Sequence, residues 1–314
     1  MIPYVILSRL LQLIPVLIGI SIITFMVVTL SPGDPAEISL RATLGTESPP
    51  KDAIESLREE MGLNEPLHIQ YLAWVSRAIR GDLGYSIQTK KTTLDEIKKA
   101  LPVTFLLAVL AMSFTALIAI PLGIAAGVRP NSFIDHVSRS ISIISLSTPE
   151  FFIAILMILI WAIYFNLFPV AGSGGLQFYI LPAITLAIGL SAITMRIMRT
   201  SMVEVLEQDY IRTARAKGVK HKQIIRQHAL KNASLPVITY MGTQFGYIFG
   251  GAVIVENIFA LPGIGRLLVE SVQSMDIMVI QGCILTFALI YVLINLVVDI
   301  AYMYLDPTIR YQEG

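Results

Sequence analysis

Residues 101–128 of this chain read LPVTFLLAVLAMSFTALIAIPLGIAAGV, and this stretch decides the fold class. It contains no charged residue, and only Thr104, Ser113 and Thr115 carry a hydroxyl group. A membrane-spanning helix needs about 20 consecutive, mostly apolar residues, and this stretch is longer. The sequence therefore predicts a helix here that crosses a lipid bilayer.

The composition of the whole chain also indicates a membrane protein. Of the 314 residues, 55% are hydrophobic and only 14% are charged, and the mean hydropathy is +0.71. A typical soluble domain carries about 25% charged residues. The net charge of +1 leaves no basic surplus for nucleic-acid binding. The single cysteine, Cys283, lies in an apolar run and is predicted to be a small buried hydrophobic residue.

Five further apolar stretches have the length and composition of spanning helices. We therefore predict an all-α polytopic membrane protein with about six transmembrane helices. A cleaved signal peptide is the alternative for the first stretch, but that stretch is long and no small-residue cleavage site follows it. The predicted spans are residues 10–30, 101–128, 147–168, 179–195, 235–258 and 278–305.

The start of the third span has a recognisable capping pattern. Ser147 is predicted to be the N-cap, with Glu150 three residues later and Pro149 in the first turn, where its missing N–H costs nothing. Residues 133–146 before it mix polar and apolar side chains. This segment is predicted either to lie along the membrane surface or to form the first part of a broken helix.

The distribution of lysine and arginine predicts the orientation in the membrane. Positive charges concentrate in short cytoplasmic loops, and residues 166–178 contain none. Four lysines between residues 90 and 99 lie on the predicted outer side, but long segments are translocated largely regardless of charge. Both termini are therefore predicted to be cytoplasmic. The predicted cytoplasmic charges between residues 196 and 231 are Arg196, Arg199, Arg212, Arg215, Lys217, Lys220, Lys222, Arg226 and Lys231.

The long segment after the first span is predicted to form an extracytoplasmic helical insert. Apolar residues recur at helical spacing from residue 51 to Gly62, where a helix stop belongs. Pro66 opens a second helical stretch, which ends before Gly81. The alternative is an irregular surface loop without function. The predicted organisation is residues 1–100 with this insert, a five-span core at 101–305, and a cytoplasmic tail at 306–314.

A short helix is predicted in the loop between the fourth and fifth spans, which covers about residues 196–234. Residues 209–218 are helical in pattern, and Ala214 and Gly218 are four apart, so they are predicted to share a face without bulk. Arg212, Arg215 and Lys217 surround that face with charge. The pattern indicates a helix that docks against another protein. An ordinary solvated basic loop is the alternative.

Several sequence motifs together resemble one family of permeases. The runs DYIRTARAKG (209–218) and HALKNASLPVIT (228–239) closely resemble the loop of permease subunits of ATP-binding-cassette importers, in the dipeptide, oligopeptide and nickel branch. Arg212 stands where the general motif of such permeases has glutamate, which resembles this branch's own version. Four other stretches also resemble this branch: SPGDPAE (31–37), REEMGLNEPLHIQYLAWV (58–75), GDLGYS (81–86) and LPGIGRLLVE (261–270).

The resemblance implies a type I ABC importer permease in the plasma (inner) membrane of a prokaryote. It implies a second permease subunit, two ATPase subunits on the cytoplasmic face and an extracytoplasmic solute-binding protein. The chain lacks the G-x-x-x-x-G-K-[ST] phosphate loop, so ATP and Mg²⁺ are expected on the ATPases, with no cofactor and no catalytic residue here. The implied ATPase-coupling residues are Asp209, Tyr210, Arg212, Thr213, Ala214, Arg215, Ala216, Lys217 and Gly218.

Two further sets of residues are candidates for structural or pathway roles. Gly242, Gly246 and Gly250 are predicted to permit close helix packing or contact with the second permease subunit. Glu256 is predicted to line an outer vestibule or to pair with Arg266. The four histidines have no ligand spacing, so no metal site is predicted. The outer-face candidates are Glu256, Pro262, Gly263 and Arg266.

Two other classes of function stay open from the residues alone. An ATP-independent secondary transporter or channel would show inverted repeats and intramembrane charges at the midplane, and the sequence has no convincing internal repeat. A membrane enzyme would need a catalytic cluster at membrane depth, and none is apparent. The solute also stays open among dipeptides, longer peptides, nickel chelates and glutathione-like compounds.

Overall fold

The computed structural model describes residues 2–30, 33–46 and 48–305, and the regular structure within these ranges is helical. The predicted tail, residues 306–314, lies outside them. The all-α prediction is confirmed. The helices are α1 (Ile2–Thr29), α2 (Pro35–Leu44), α3 (Lys51–Glu60), α4 (Leu67–Ile79), α5 (Thr93–Val128), α6 (Phe133–Ser147), α7 (Glu150–Tyr164), α8 (Gln177–Leu206), α9 (Asp209–Ala216), α10 (His221–Ile258), α11 (Ile264–Gln273) and α12 (Ile277–Leu305).

Four helices in the described part of the chain are long and apolar enough to cross a bilayer, namely α5, α8, α10 and α12. Helices α6 and α7 are long and apolar enough only when they are taken together, which gives a fifth span if the pair crosses the bilayer as one. The apolar part of α1, Leu13–Val27, is shorter than the length that such a spanning helix needs. The structure thus confirms a polytopic helical membrane protein with four or five spans. A span at residues 10–30 stays a prediction.

The third predicted span, residues 147–168, corresponds to α7 and begins at a sharp break after α6. Helices α6 and α7 are bent by 105° relative to each other. The break falls at Thr148, which has the extended angles φ −99° and ψ 124°, because a residue before proline is driven away from the helical region. The predicted capping box is wrong, since Ser147 ends α6 and Pro149 is the N-cap of α7, with no side-chain capping bond. A helix at residues 133–146 is confirmed, and its place along the membrane surface or as the first part of a broken helix stays a prediction.

Several helices extend beyond the apolar stretches that predict them. Helix α5 begins at Thr93, and α8 continues to Leu206. Helix α10 begins at His221, well before the fifth span predicted from residue 235, and has π-helical geometry at Ile224–Ala229. Hydropathy marks only the part of a helix that suits lipid, so polar turns at the ends of a span are missed.

The described residues divide into two compact units that do not follow chain order. One unit combines the described residues up to 103 with residues 262–292, and the other combines residues 104–261 with 293–305. In the first unit, α1 packs on α4 through Phe25, Tyr71 and Trp74, whose ring centroids lie 5.6–6.3 Å apart. The predicted pair of helices in the insert is confirmed as α3 and α4.

A second packed region of the first unit contains the only cysteine of the chain. Cys283 is fully buried and packs in a cluster with Ile97, Ala100, Ile264 and Val279. Its predicted place as a small buried residue is therefore confirmed.

The second unit is built around α8, which packs against α6, α7 and α10. Helix α5 also approaches α8 closely at two glycines one turn apart. A Cβ atom on Gly123 would lie 2.6 Å from Met198 Cβ, and one on Gly127 would lie 2.6 Å from Met202 Cβ. Only glycine permits this approach. The G-x-x-x-G pattern that marks it lies inside the second predicted span and was not among the predicted packing motifs.

Candidate functional site

Helix α9, the predicted docking helix, is attached to the protein through one apolar face. Ile211 is fully buried, and Ala214, on the same face, is half-buried. Both pack against a cluster that includes Met202 of α8 and Ile224 of α10. Full burial of a side chain such as Ile211 stabilises its position by roughly 1.5–3 kcal/mol. Helix α9 is therefore held against the ends of two long helices.

The opposite face of α9 is exposed and polar. With 3.6 residues per turn, Asp209, Thr213 and Ala216 point away from Ile211. Asp209 and Arg212 form an ion pair of 3.4 Å between side chains that are 96% and 70% exposed, so the pair contributes little stability. Ala216 adds only a methyl group to this exposed face, beside the polar side chains. The exposed residues of the predicted coupling set are Asp209, Tyr210, Arg212, Thr213, Arg215, Ala216, Lys217 and Gly218.

Gly218 lies after the end of α9, whereas the sequence pattern placed it on a face of the helix. Helix α9 ends at Ala216, and Gly218 has a φ of +78°, a left-handed conformation that favours glycine. The Gly218 and Val219 N–H groups donate to the carbonyls of Arg215 and Ala214, at 3.0 and 3.2 Å, and cap the helix. The predicted shared face of Ala214 and Gly218 is therefore wrong, since one packs inward and the other turns the chain.

A polar contact also ties α9 to α10. The Asn232 side-chain amide donates a hydrogen bond of 2.8 Å to the Tyr210 hydroxyl oxygen. Together with the buried Ile211, this bond joins the start of α9 to a helix that has the length of a membrane span. The arrangement provides a small exposed surface that is mechanically connected to α8 and α10.

The three predicted packing glycines have three different environments. A Cβ atom on Gly242 would lie 2.7 Å from Val298 Cγ2, so this glycine permits close packing of α10 against α12 within the second unit. Gly246 is buried. Gly250 is exposed, and nothing lies within 4 Å of where its Cβ atom would be. The helix-packing role fits Gly242, whereas Gly250 is left open to a partner or to lipid.

The predicted outer-face residues fall into both compact units. In the second unit, Glu256 is fully buried and accepts a hydrogen bond of 2.5 Å from the Thr104 hydroxyl. Glu256 therefore does not line an open vestibule in this structure, and its pairing with Arg266 stays a prediction. In the first unit, Pro262 is exposed and Gly263 is the N-cap of α11. Arg266 pairs with Glu270 at 2.7 Å in the same helix.

Sequence reasoning missed a buried ion cluster between α6 and α8. Asp135 is fully buried and accepts hydrogen bonds of 2.6 and 2.9 Å from the guanidinium group of Arg199. Arg139, one turn later on α6, donates to the same carboxylate, as does the Asn131 N–H at 2.8 Å. The i, i+4 spacing of Asp135 and Arg139 was a visible signal, but no sequence pattern linked them to Arg199.

Two family models match the chain over most of its length. Residues 119–311 match the binding-protein-dependent transport system inner membrane component, and residues 1–108 match the N-terminal part of such a membrane component. The chain belongs to this family of permeases. Family membership confirms the interpretation as an inner-membrane permease subunit of a binding-protein-dependent ABC importer of the peptide branch. A secondary transporter, a channel or a membrane enzyme is no longer an alternative.

Individual relatives cover nearly the whole permease. It is 41% identical over 312 residues to the glutathione transport system permease protein GsiC of Escherichia coli strain K12, covering 99% of this chain and 100% of that protein. The glutathione transport system permease of Salmonella choleraesuis is 39% identical over 307 residues, covering 98% and 99%. These relatives therefore share the insert as well as the core.

Solved transporters share the fold of the permease. The inward-facing MetNI methionine ABC transporter matches 67% of this chain and 96% of that chain, with a TM-score of 0.57 and 18% identity. An amino acid ABC transporter with histidines matches 67% and 94%, with a TM-score of 0.53 and 17% identity. At this level of identity the likeness concerns the fold alone, and it confirms the expected type I importer architecture.

Proposed function

We propose that this permease forms, together with a second permease subunit, the membrane pathway for a glutathione-type peptide. The observation that carries the proposal is the 41% identity to the permease of a glutathione transport system over 99% of this chain. The matched region covers residues of both compact units and the whole predicted core. It favours a peptide cargo over a nickel chelate.

The proposed partners follow from the family and from the geometry of α9. One of the two ATPase subunits binds the exposed face of α9, the ATPases carry the ATP and Mg²⁺, and an extracytoplasmic binding protein delivers the solute. Asp209, Thr213 and Ala216 form the centre of the contact, because they lie opposite the buried Ile211, and the exposed Arg212 lies at its edge. Ala214 packs beneath this surface, and the exposed Gly218 forms the turn that ends the helix.

The cargo is testable by transport. In cells that express the complete importer, deletion of this permease is expected to abolish accumulation of radiolabelled glutathione from the medium. Excess unlabelled glutathione should compete, whereas Ni²⁺ should not, because the proposed recognition is of a peptide. Glutathione uptake that persists without the permease, combined with loss of nickel accumulation, would contradict the assignment of cargo while leaving the importer function intact.

We further propose that both termini and α9 are cytoplasmic and that α2, α3 and α4 are extracytoplasmic. The support is the concentration of Lys and Arg between residues 196 and 231 and their absence from residues 166–178.

Single-cysteine labelling tests this orientation. In a Cys283→Ser background, Glu60→Cys on α3 is expected to react with a membrane-impermeant maleimide in intact spheroplasts. Lys222→Cys on α10 should react only after the membrane is opened. Both original side chains are exposed, so accessibility is not limited by the fold. The opposite pattern of labelling would show that the permease is inserted the other way round.

A further inference from the structure

A cavity of about 270 Å³ lies between α6 and α8, beside the buried Asp135. It is outside the proposed coupling surface and within the second compact unit. Three arginines reach it from the two helices, and apolar side chains line the remainder. Its lining is Ser138, Arg139, Ser142, Ile143, Leu146, Met195, Arg196, Arg199 and Thr200.

The cavity has an excess of positive charge. Asp135 is a single carboxylate that pairs with both Arg139 and Arg199. Arg196 adds a third positive charge, and among the described residues no ion pair or side-chain hydrogen bond involves its guanidinium group. Three positive charges thus face one negative charge. A region with this imbalance attracts an anion.

The guanidinium groups are the main donors that face the cavity. The Ser142 hydroxyl already donates to the Ser138 carbonyl at 2.9 Å, and the Thr200 hydroxyl donates to the Arg196 carbonyl at 3.0 Å. Asp135 occupies the Nε and Nη2 groups of Arg199. A planar guanidinium group whose N–H groups are not all used by a carboxylate is well suited to donate hydrogen bonds to the oxygen atoms of a phosphate group.

The apolar part of the lining indicates that the anion belongs to an amphiphile. Ile143 and Leu146 are 65% and 50% exposed, and the neighbouring Ile144 is 65% exposed, which gives α6 a continuous apolar face. Arg196 and Arg199 stand where the apolar stretch of α8 ends. Arginines at that position in a span lie at the depth of lipid head groups.

We propose that this cavity binds the phosphate group of an anionic phospholipid, with the acyl chains against the exposed apolar face of α6. Basic pockets between membrane helices are known to bind the head groups of anionic lipids. A bound lipid would bridge α6 and α8 next to the break between α6 and α7. The site would thereby link the lipid composition of the membrane to the position of the broken helix.

Native mass spectrometry of the purified full-length permease, with the subunits that accompany it, tests the proposal. Titration with phosphatidylglycerol is compared with phosphatidylcholine of the same chain length and with inorganic phosphate. Arg196→Gln is expected to weaken binding of phosphatidylglycerol about fivefold, since one basic side chain near an anionic lipid contributes about 1 kcal/mol. Arg226→Gln is the matched control, because it removes the same charge from an exposed position that does not line the cavity.

Each outcome of this comparison decides the proposal. The proposal is supported if the permease binds phosphatidylglycerol more tightly than phosphatidylcholine and if this preference is weakened in Arg196→Gln but not in Arg226→Gln. Equal loss in both variants, or equal binding of the two lipids, overturns it. Displacement of the lipid by inorganic phosphate at equal concentration assigns the cavity to a soluble anion and overturns the lipid proposal. Neither variant should affect folding, because both side chains are exposed.

Discussion

Replacing Ala216 with tryptophan is expected to uncouple the permease from its ATPases and to abolish solute uptake. Ala216 lies on the exposed face of α9, opposite Ile211, where the proposed ATPase contact requires close approach. An overpacked contact commonly costs about 1–3 kcal/mol. That cost corresponds to roughly a five- to hundredfold weaker association. Co-purification of the ATPase subunits and uptake of labelled solute are the two measurements.

The Ala216→Ser variant is the matched control, because it keeps a small side chain at the same position. It should retain both ATPase association and uptake. The Ala216→Trp permease must also reach the membrane at the normal level, as an immunoblot of isolated membranes would show. Normal uptake by a well-expressed Ala216→Trp importer would mean that α9 is only an exposed connecting helix.

The structure shows why two other bulky substitutions on this loop would be less informative. Ala214 packs against the cluster that contains Ile211 and Ile224, so a large side chain there would displace α9 itself. Gly218 has a φ of +78°, so any side chain would strain the turn regardless of partners. Loss of function in either case would not separate docking from folding.

Replacing Gly127 with alanine is expected to destabilise the packing of α5 on α8. The added Cβ atom would lie 2.6 Å from Met202 Cβ and 2.8 Å from the Arg199 carbonyl oxygen. A backbone oxygen inside a helix cannot turn aside, so the helices must separate at a cost of about 1–3 kcal/mol. A lower midpoint of thermal unfolding for the purified permease is the expected result.

Gly189 supplies the control for this substitution. It also lies in a helix, but nothing is within 4 Å of where its Cβ atom would be. Gly189→Ala should therefore leave the unfolding midpoint unchanged or raise it, since alanine is about 0.8–1 kcal/mol better than glycine in a helix. If the two variants unfold at the same temperature, the close approach of α5 and α8 does not contribute to stability.

Hydropathy predicted the membrane helices well because the bilayer imposes a minimum apolar length on every span. Residues 101–128 lie wholly within α5, and residues 179–195 within α8. The ends of these helices were not predictable in the same way. Beyond the apolar stretch, helix continuation depends on capping and tertiary contacts, as the cluster around Met202 and Ile224 illustrates.

The candidate site was only partly predictable for a related reason. The pattern of residues 209–218 identified a short polar helix, but not which face of it is buried. Ile211 is the only large aliphatic residue of α9, and its burial orients the helix. Contacts between distant segments, such as Asp135 with Arg199, require the assembled fold and leave no local pattern in the chain.

The attachment of α9 has a consequence for the timing of transport. The loop that carries α9 leaves α8 at Leu206 and enters α10 at His221, and α8 and α10 pack against each other. Ile211 and the Tyr210–Asn232 hydrogen bond fill the short interval between them. A displacement of α9 by a partner is therefore expected to move the adjoining ends of α8 and α10 together.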